Sequence, residues 1–165
     1  MADTGSFDEF YAGAVGRLVG QLFPVTGDLH EAEEVVQEAF TRAAARWSRL
    51  RDYDVPEAWV RRVAMNLATD RARNLRRQAR AMLKLRPPPE VLPASAEALA
   101  VAEALRTLPI RQRQVVVLHY LVDLSVEEVA HTLGMPGGTV KSLLSRGRHA
   151  LAAKLGETEE VLDLS

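Results

Sequence analysis

The sequence predicts an all-α protein of two small helical domains joined by a proline-rich linker, with a helix-turn-helix in the C-terminal domain. Apolar residues recur at helical spacing through most of the 165 residues, which is typical of amphipathic helices. Three consecutive prolines at 87–89 interrupt this pattern, and such a run cannot continue a helix. Residues 125–155 contain the capping and turn residues of two helices joined by a tight turn.

The domain boundaries follow from these patterns. We expect a first domain at 1–84, a linker at 85–96 and a second domain at 97–156. The remaining residues, 157–165, are acidic and are expected to form a frayed tail.

The first domain is predicted to begin with two amphipathic helices. Apolar residues at i, i+3, i+4 and i+7 spacing run from Phe7 to Leu22 and indicate the first helix, which Pro24–Asp28 should end. Asp28 is a plausible N-cap of the second helix. Its apolar face includes Phe40, and its other face is mostly acidic: Glu33, Glu34, Gln37, Glu38 and Thr41. That face is either a solvated surface that complements the helix dipole or a docking surface for a basic partner.

A third helix follows a loop predicted at Ser48–Val55, and Pro56 is suited to its first turn. Leu75 is expected on its inner side. The opposite side groups arginines with an amide and a hydroxyl: Arg62, Asn66, Thr69, Arg73, Arg76, Arg77 and Arg80. This composition favours contact with a nucleic-acid backbone, with some capacity to read bases, although arginine-rich helix ends also serve only solubility. Asp70 and Arg71 lie off this stripe and are expected to pair with neighbours.

The second domain contains the helix-turn-helix. Ser125 and Glu128 have the spacing of a capping box, and Gly134 stands where a left-handed C-cap is expected. The second helix should start near Thr139, and its outer side carries short polar side chains flanked by cations: Ser142, Ser145 and His149, with Lys141, Arg146 and Arg148. Such a face suits a DNA major groove, and the alternative is an ordinary solvated face. The apolar run Val115–Leu118 before it favours a buried helix over a strand.

Composition excludes several kinds of chemistry. The chain contains no cysteine, which excludes disulfides, thiolate nucleophiles and cysteine-based zinc sites. We also find no glycine-rich phosphate loop and no catalytic triad spacing. Glu128 and His131 have the Glu-x-x-His spacing of di-metal bundles, but the second copy that such a site needs is missing. We therefore expect no catalytic residue, no metal and no cofactor, and a cytoplasmic protein without a membrane-inserted segment.

The formal net charge of −1 conceals a strong segregation of charge. Residues 28–38 contain five acidic residues and no lysine or arginine, whereas 61–86 contain nine basic residues and one acidic residue. Such asymmetry indicates separate surfaces for separate partners.

Taken in order, these segments resemble the extracytoplasmic-function sigma factors of bacterial RNA polymerase. Residues 27–40 resemble the family's polymerase-binding helix, and residues 56–77 resemble its −10 segment, with Ala64, Asn66, Leu67 and Asp70 in the motif positions. Residues 108–151 resemble its −35 domain, in which GTVKS at 138–142 is the most specific part.

The resemblance implies partners and residue roles. Core RNA polymerase would be bound through a coiled coil of its largest subunit, and the residues implied are Glu34, Gln37, Glu38 and Phe40. The promoter −10 element would be held and opened by Arg62, Asn66, Thr69, Arg73, Arg76 and Arg77. The −35 element would be contacted by Arg111, Arg113, Thr139, Lys141, Ser142, Ser145, Arg146 and His149. Many relatives are also held inactive by an anti-sigma factor.

Four residues depart from the family pattern. Pro136 stands where a capping serine is usual, Gly137 replaces a polar residue, and Leu143 replaces an arginine. Gly147 replaces an alanine, and in mid-helix this should cost up to about 1 kcal/mol.

Two other classes of function remain open from the sequence. An autonomous helix-turn-helix regulator would bind operator DNA without polymerase, and it would need a dimer to gain affinity from two half-sites. A helical interaction protein that sequesters another regulator would show no salt-dependent DNA binding.

Overall fold

The structure is a computed structural model that describes residues 5–81 and 95–163, with side chains described for 5–79 and 95–156. The chain divides into two compact units, Met1–Arg86 and Pro87–Ser165. Within the described ranges every regular element is helical, so the all-α prediction is confirmed. Most of the predicted linker lies outside the described residues, and its bounds stay a prediction.

The described part of the first unit contains four helices: α1 at Phe7–Thr26, α2 at Leu29–Ala45, α3 at Trp47–Leu50 and α4 at Pro56–Ala81. The start of α4 at Pro56 is as predicted. The Oδ1 of Asp28 accepts a hydrogen bond from the Glu31 amide at 3.2 Å, which confirms the predicted N-cap of α2.

The first helix ends within the predicted segment Pro24–Asp28, whereas the prediction of a loop at Ser48–Val55 is wrong. Helix α1 continues through Pro24 and ends at Gly27, whose φ of 72° lies in the left-handed region. Proline removes one amide donor but keeps a helical φ, so it is the glycine that ends the helix. The predicted loop Ser48–Val55 is partly helical, because α3 forms one turn there and buries Leu50.

Helices α1, α2 and α4 pack around the core of the first unit. Leu18 from α1, Val36 from α2 and Met65 from α4 are fully buried. An aromatic cluster closes one part of this core, and its rings come from Phe7, Phe10, Tyr11, Phe40 and Trp47. The core fixes which faces of α2 and α4 remain exposed.

The second unit contains α5 at Ala96–Thr107, α6 at Ile110–Val116, a π-helical turn at Val117–Leu121, α7 at Val126–Leu133 and α8 at Gly137–Asp163. The apolar run is helical and buried as predicted, although the π-helical turn was not foreseen.

The capping predictions for the helix-turn-helix are confirmed. Ser125 and Glu128 form the capping box, and Gly134 ends α7 with a φ of 63°. Helix α8 starts two residues earlier than predicted, because the Val140 amide already donates to the Pro136 carbonyl at 3.1 Å. The expectation of a frayed tail is wrong as far as Asp163, since α8 continues to that residue.

Gly147 lies where α8 crosses α6. A Cβ built on this residue would stand 2.8 Å from Cγ2 of Val116 and 3.7 Å from the Gln112 carbonyl oxygen. On sequence alone, Gly147 is expected only to cost helix stability. Its main effect is different, because the absent side chain allows the two helices to approach closely.

Candidate nucleic-acid and protein interfaces

Helix α2 presents an acidic surface, which we define as Glu31, Glu34, Gln37 and Glu38. Arg71 of α4 lies against its three carboxylates. Its Nη1 is 2.8 Å from Oε2 of Glu34 and 3.2 Å from Oε1 of Glu31. Its Nη2 is 3.5 Å from Oε2 of Glu38. The expected pairing of Arg71 with neighbours is confirmed, and it falls on two residues predicted to bind polymerase.

The remaining oxygens of these two glutamates also have partners. Oε1 of Glu34 is 2.9 Å from Nε2 of His30, and Oε1 of Glu38 is 2.9 Å from Nη2 of Arg42. The hydrogen bond from Arg71 lowers the pKa of Glu34, and the charge of His30 lowers it further. The pKa of Arg71 is raised, chiefly by its hydrogen bond to Glu34.

Gln37 and Phe40 occupy different environments. Gln37 is exposed, and its Nε2 donates a hydrogen bond to the hydroxyl of Tyr11. Phe40 is only 2% exposed and packs edge-on against Tyr11, with ring centroids 4.9 Å apart. The prediction that Phe40 contacts a partner directly is wrong, since an aromatic side chain on the apolar face of α2 is taken up by the core.

Helix α4 exposes most of the predicted nucleic-acid stripe. Exposed side chains are Arg62, Asn66, Arg73, Arg76 and Arg77. Arg80 lies outside the described side chains. Arg71 follows Arg62 by nine residues, so at 100° per residue it lies about 180° away around the helix. The stripe therefore faces away from the acidic surface of α2.

Two predictions for α4 are wrong. Thr69 is 2% exposed, and its hydroxyl donates to the Met65 carbonyl at 3.0 Å, a back-bond that satisfies a threonine within a helix. It is not available to DNA. Leu75 was expected to face inward but is exposed, because every described side chain of α4 from Arg73 onward is exposed.

The resemblance implied that the loop before α4 also holds the −10 element, but the arginines of the segment between α2 and α4 were not singled out. Arg46, Arg49 and Arg51 are exposed there, together with Tyr53. The Arg46 guanidinium lies 5.9 Å from the ring centroid of Trp59 on α4. The helical spacing of Arg42, Arg46 and Arg49 could have indicated a shared exposed face. The loop predicted at Ser48–Val55 separated Arg49 from the other two.

Helix α8 exposes the predicted cationic face. Exposed side chains are Thr139, Lys141, Ser142, Arg146, Arg148 and His149. Ser145 is partly buried, and its carbonyl lies 2.9 Å from Nδ1 of His149. Arg148 donates a hydrogen bond of 3.3 Å to the hydroxyl of Tyr120. The contact of this face with a DNA major groove stays a prediction.

Arg113 corrects another prediction. Its Nε donates to the Leu105 carbonyl at 2.9 Å, and its Nη2 donates to the carbonyls of Leu108 at 2.9 Å and Arg106 at 3.2 Å. These are carbonyls at the end of α5, where intrahelical partners run out. Arg113 therefore closes the α5–α6 junction and is not directed at DNA. Arg111 is partly buried, and its DNA contact stays a prediction.

No group of three or more histidine, aspartate or glutamate side chains that could hold a metal ion occurs within the described ranges. None of the described helices is long and apolar enough to cross a membrane.

Two family matches cover these surfaces in turn. Residues 10–78 match sigma-70 region 2, and residues 98–151 match sigma-70 region 4. The RNA polymerase sigma-E factor of Streptomyces coelicolor is 31% identical over 157 residues, which span 94% of this chain and 89% of that protein. The ECF RNA polymerase sigma factor SigW of Bacillus subtilis is 31% identical, over 81% of this chain and 80% of SigW. This chain belongs to the extracytoplasmic-function (ECF) sigma factors.

Solved structures resemble this sigma factor over nearly its whole length. CnrH, solved in complex with the cytosolic domain of CnrY, matches with a TM-score of 0.62 and 29% identity, over 92% of this chain and 88% of CnrH. The sigma factor RpoE of Bartonella quintana, solved with the anti-sigma factor NepR, shares the fold with a TM-score of 0.77 at 23% identity, over 91% of this chain and 96% of RpoE.

Proposed function

We propose that this sigma factor binds core RNA polymerase through the acidic surface of α2 and directs initiation at promoters with matching −10 and −35 elements. The carrying observation is the separation of charge around α4. Its exposed arginine stripe lies about 180° from Arg71, which contacts the carboxylates of α2. One helix can therefore face DNA while the helix packed behind it faces a basic protein surface.

The −10 element is assigned to the exposed stripe of α4. Asn66 has an amide that can hydrogen-bond a base edge, and Arg62, Arg73, Arg76 and Arg77 supply cations for phosphates. Binding an extruded base offsets the few kcal/mol of unstacking, so the strands can open without enzymatic activity or a nucleotide cofactor. Tyr53, 52% exposed just before α4, adds an aromatic surface on which a base can stack.

The −35 element is assigned to α8. Its exposed Lys141, Ser142 and Arg146 combine short hydrogen-bonding groups with cations, a set that reads base edges and phosphates in the major groove. The proposed location is the cytoplasm, where core polymerase and promoter DNA occur. An anti-sigma factor is a further proposed partner, in view of the RpoE structure solved with NepR.

The first test is promoter-specific transcription with purified core polymerase and the full chain. The proposal expects run-off transcripts only when the chain is present. An autonomous operator-binding regulator would give none while still binding DNA alone, and that result would overturn the proposal.

The docking assignment is tested by the double variant Glu34→Gln and Glu38→Gln. Neutral glutamine is preferable to lysine here, because lysine would add repulsion against Arg71 and Arg42. Core binding, measured by fluorescence anisotropy of labelled chain, should weaken. The matched control is Glu103→Gln, which neutralises an exposed carboxylate of the second unit and should leave core affinity unchanged. Equal affinities of the two variants would refute the assignment.

A further inference from the structure

The carboxylates expected to meet a basic partner are already occupied by cations of this chain. Arg71 bonds Glu31, Glu34 and Glu38 at once. Both oxygens of Glu34 and of Glu38 are engaged, because His30 and Arg42 take the ones that Arg71 leaves. A lysine or arginine of a partner cannot bond these oxygens without sharing or displacing an internal cation.

The internal cations are weakly enough held to be displaced. The Arg71 side chain is 31% exposed, and those of Glu34 and Glu38 are 45% and 41% exposed. Ion pairs with this access to water contribute little to stability and are screened by salt. The folded core of the first unit, built on residues such as Leu18 and Met65, does not depend on them. Exchange of partners on this surface therefore costs little.

The net charge of the acidic surface depends on Arg71. With histidine counted as neutral at pH 7, as in the formal net charge, Glu31, Glu34 and Glu38 carry three negative charges. Arg71 and Arg42 offset two of them, which leaves one. Removal of Arg71 leaves two negative charges on the same face. A cationic partner is attracted more strongly to the more negative face.

We propose that Arg71 is a built-in competitor for the acidic surface of α2, which a cationic segment of core polymerase displaces when it binds. This inference rests on the proposed docking surface. The competitor sits on the helix that also carries the promoter-facing arginines, so docking changes the contacts of α4 itself. Arg71 thus limits the affinity of the chain for polymerase and for any other cationic protein that uses the same face.

The test is the full-length Arg71→Met variant, because methionine keeps part of the aliphatic stem and removes the charge. Core affinity at low salt should rise by up to about fivefold, the upper end of what one exposed ion pair contributes. The gain should disappear as salt rises, because both the competitor and the partner act through screened charges. Arg71→Lys restores the charge and should bind as the native chain does.

Controls make each outcome decisive. Arg17→Met removes an exposed arginine of α1 that pairs with Glu57, outside the acidic surface, and should leave core affinity unchanged. Circular dichroism establishes that each variant is folded. Weaker or unchanged binding by a folded Arg71→Met variant would overturn the competitor role. If Glu34→Gln with Glu38→Gln also failed to weaken binding, the docking surface itself would be refuted; if it weakened binding, only the competitor role would be lost.

Discussion

The close approach at Gly147 makes a specific prediction, because two effects of alanine there oppose each other. Alanine gains up to about 1 kcal/mol in helix propensity over glycine. Its Cβ would, however, stand 2.8 Å from Cγ2 of Val116, where carbon atoms normally rest about 3.5–4.0 Å apart. Valine is β-branched and cannot turn its methyl aside freely, so the helices must move.

Forcing an extra methyl group into a packed site costs about 1–3 kcal/mol. After the propensity gain is subtracted, Gly147→Ala should destabilise the second unit by about 1 kcal/mol. Val116→Ala alone should also destabilise it, since removal of buried methyl groups forfeits burial. In the double variant the new Cβ no longer meets Cγ2, so the two costs should not add, and a favourable coupling of about 1–2 kcal/mol is expected.

The assay is urea unfolding of the full chain followed by two signals. Both tryptophans, Trp47 and Trp59, lie in the first unit, so their fluorescence reports that unit and serves as an internal control. Far-ultraviolet circular dichroism reports both units. Only the transition that tryptophan fluorescence does not follow, which belongs to the second unit, should shift. Stabilisation by Gly147→Ala, or simple additivity in the double variant, would refute the steric account.

Three further predictions use other contacts. Arg113→Ala should lower the stability of the second unit by about 2 kcal/mol, since charge-assisted hydrogen bonds to carbonyls at the end of α5 are lost. The salt dependence of −35 binding should change little. A large change in that salt dependence would show that Arg113 contacts DNA. Arg71→Met should raise the pKa of Glu34, and a carboxyl ¹³C NMR titration should show its midpoint at higher pH. In the native chain the lowered pKa keeps the ion pair intact above the ordinary value of 4.5. The ion pair is lost as the pH falls through the folded pKa. Asn66→Ala should reduce permanganate reactivity of the opened −10 region more than gel-shift affinity, and equal losses would make Asn66 structural.

Capping residues predicted several helix ends correctly. Pro56, Asp28 and Ser125 start or cap helices where their chemistry requires, and Gly134 ends α7 in the left-handed region. These are local properties, set by residues within one turn of each other. The order of an acidic helix, an arginine-rich helix and a helix-turn-helix was likewise visible in the sequence.

Long-range partners were not predictable in the same way. Periodicity placed Thr69 among the arginines of α4, but periodicity does not show how much of a helix face is covered, and Thr69 is 2% exposed. Arg113 was assigned to DNA because arginine favours phosphates, yet two carbonyls of α5 and that of its C-cap Leu108 accept hydrogen bonds from the same donors. The sequence of α8 alone indicates that Gly147 weakens this helix, but α6 packs closely against the residue. For Arg113 and Gly147 the deciding atoms belong to a different segment of the chain.

The exposed end of α4 has a consequence for the thermodynamics of promoter binding. Side chains 73–79 are all exposed, so this part of the helix gains little from tertiary packing and relies on intrinsic propensity. Any fraying there must be reversed when Arg76 and Arg77 reach phosphates, and the ordering entropy is then subtracted from the binding energy. Substitutions that raise helix propensity at exposed positions, such as Asn74→Ala, should therefore tighten promoter binding without adding a DNA contact. They should leave the thermal unfolding of the first unit's hydrophobic core unchanged.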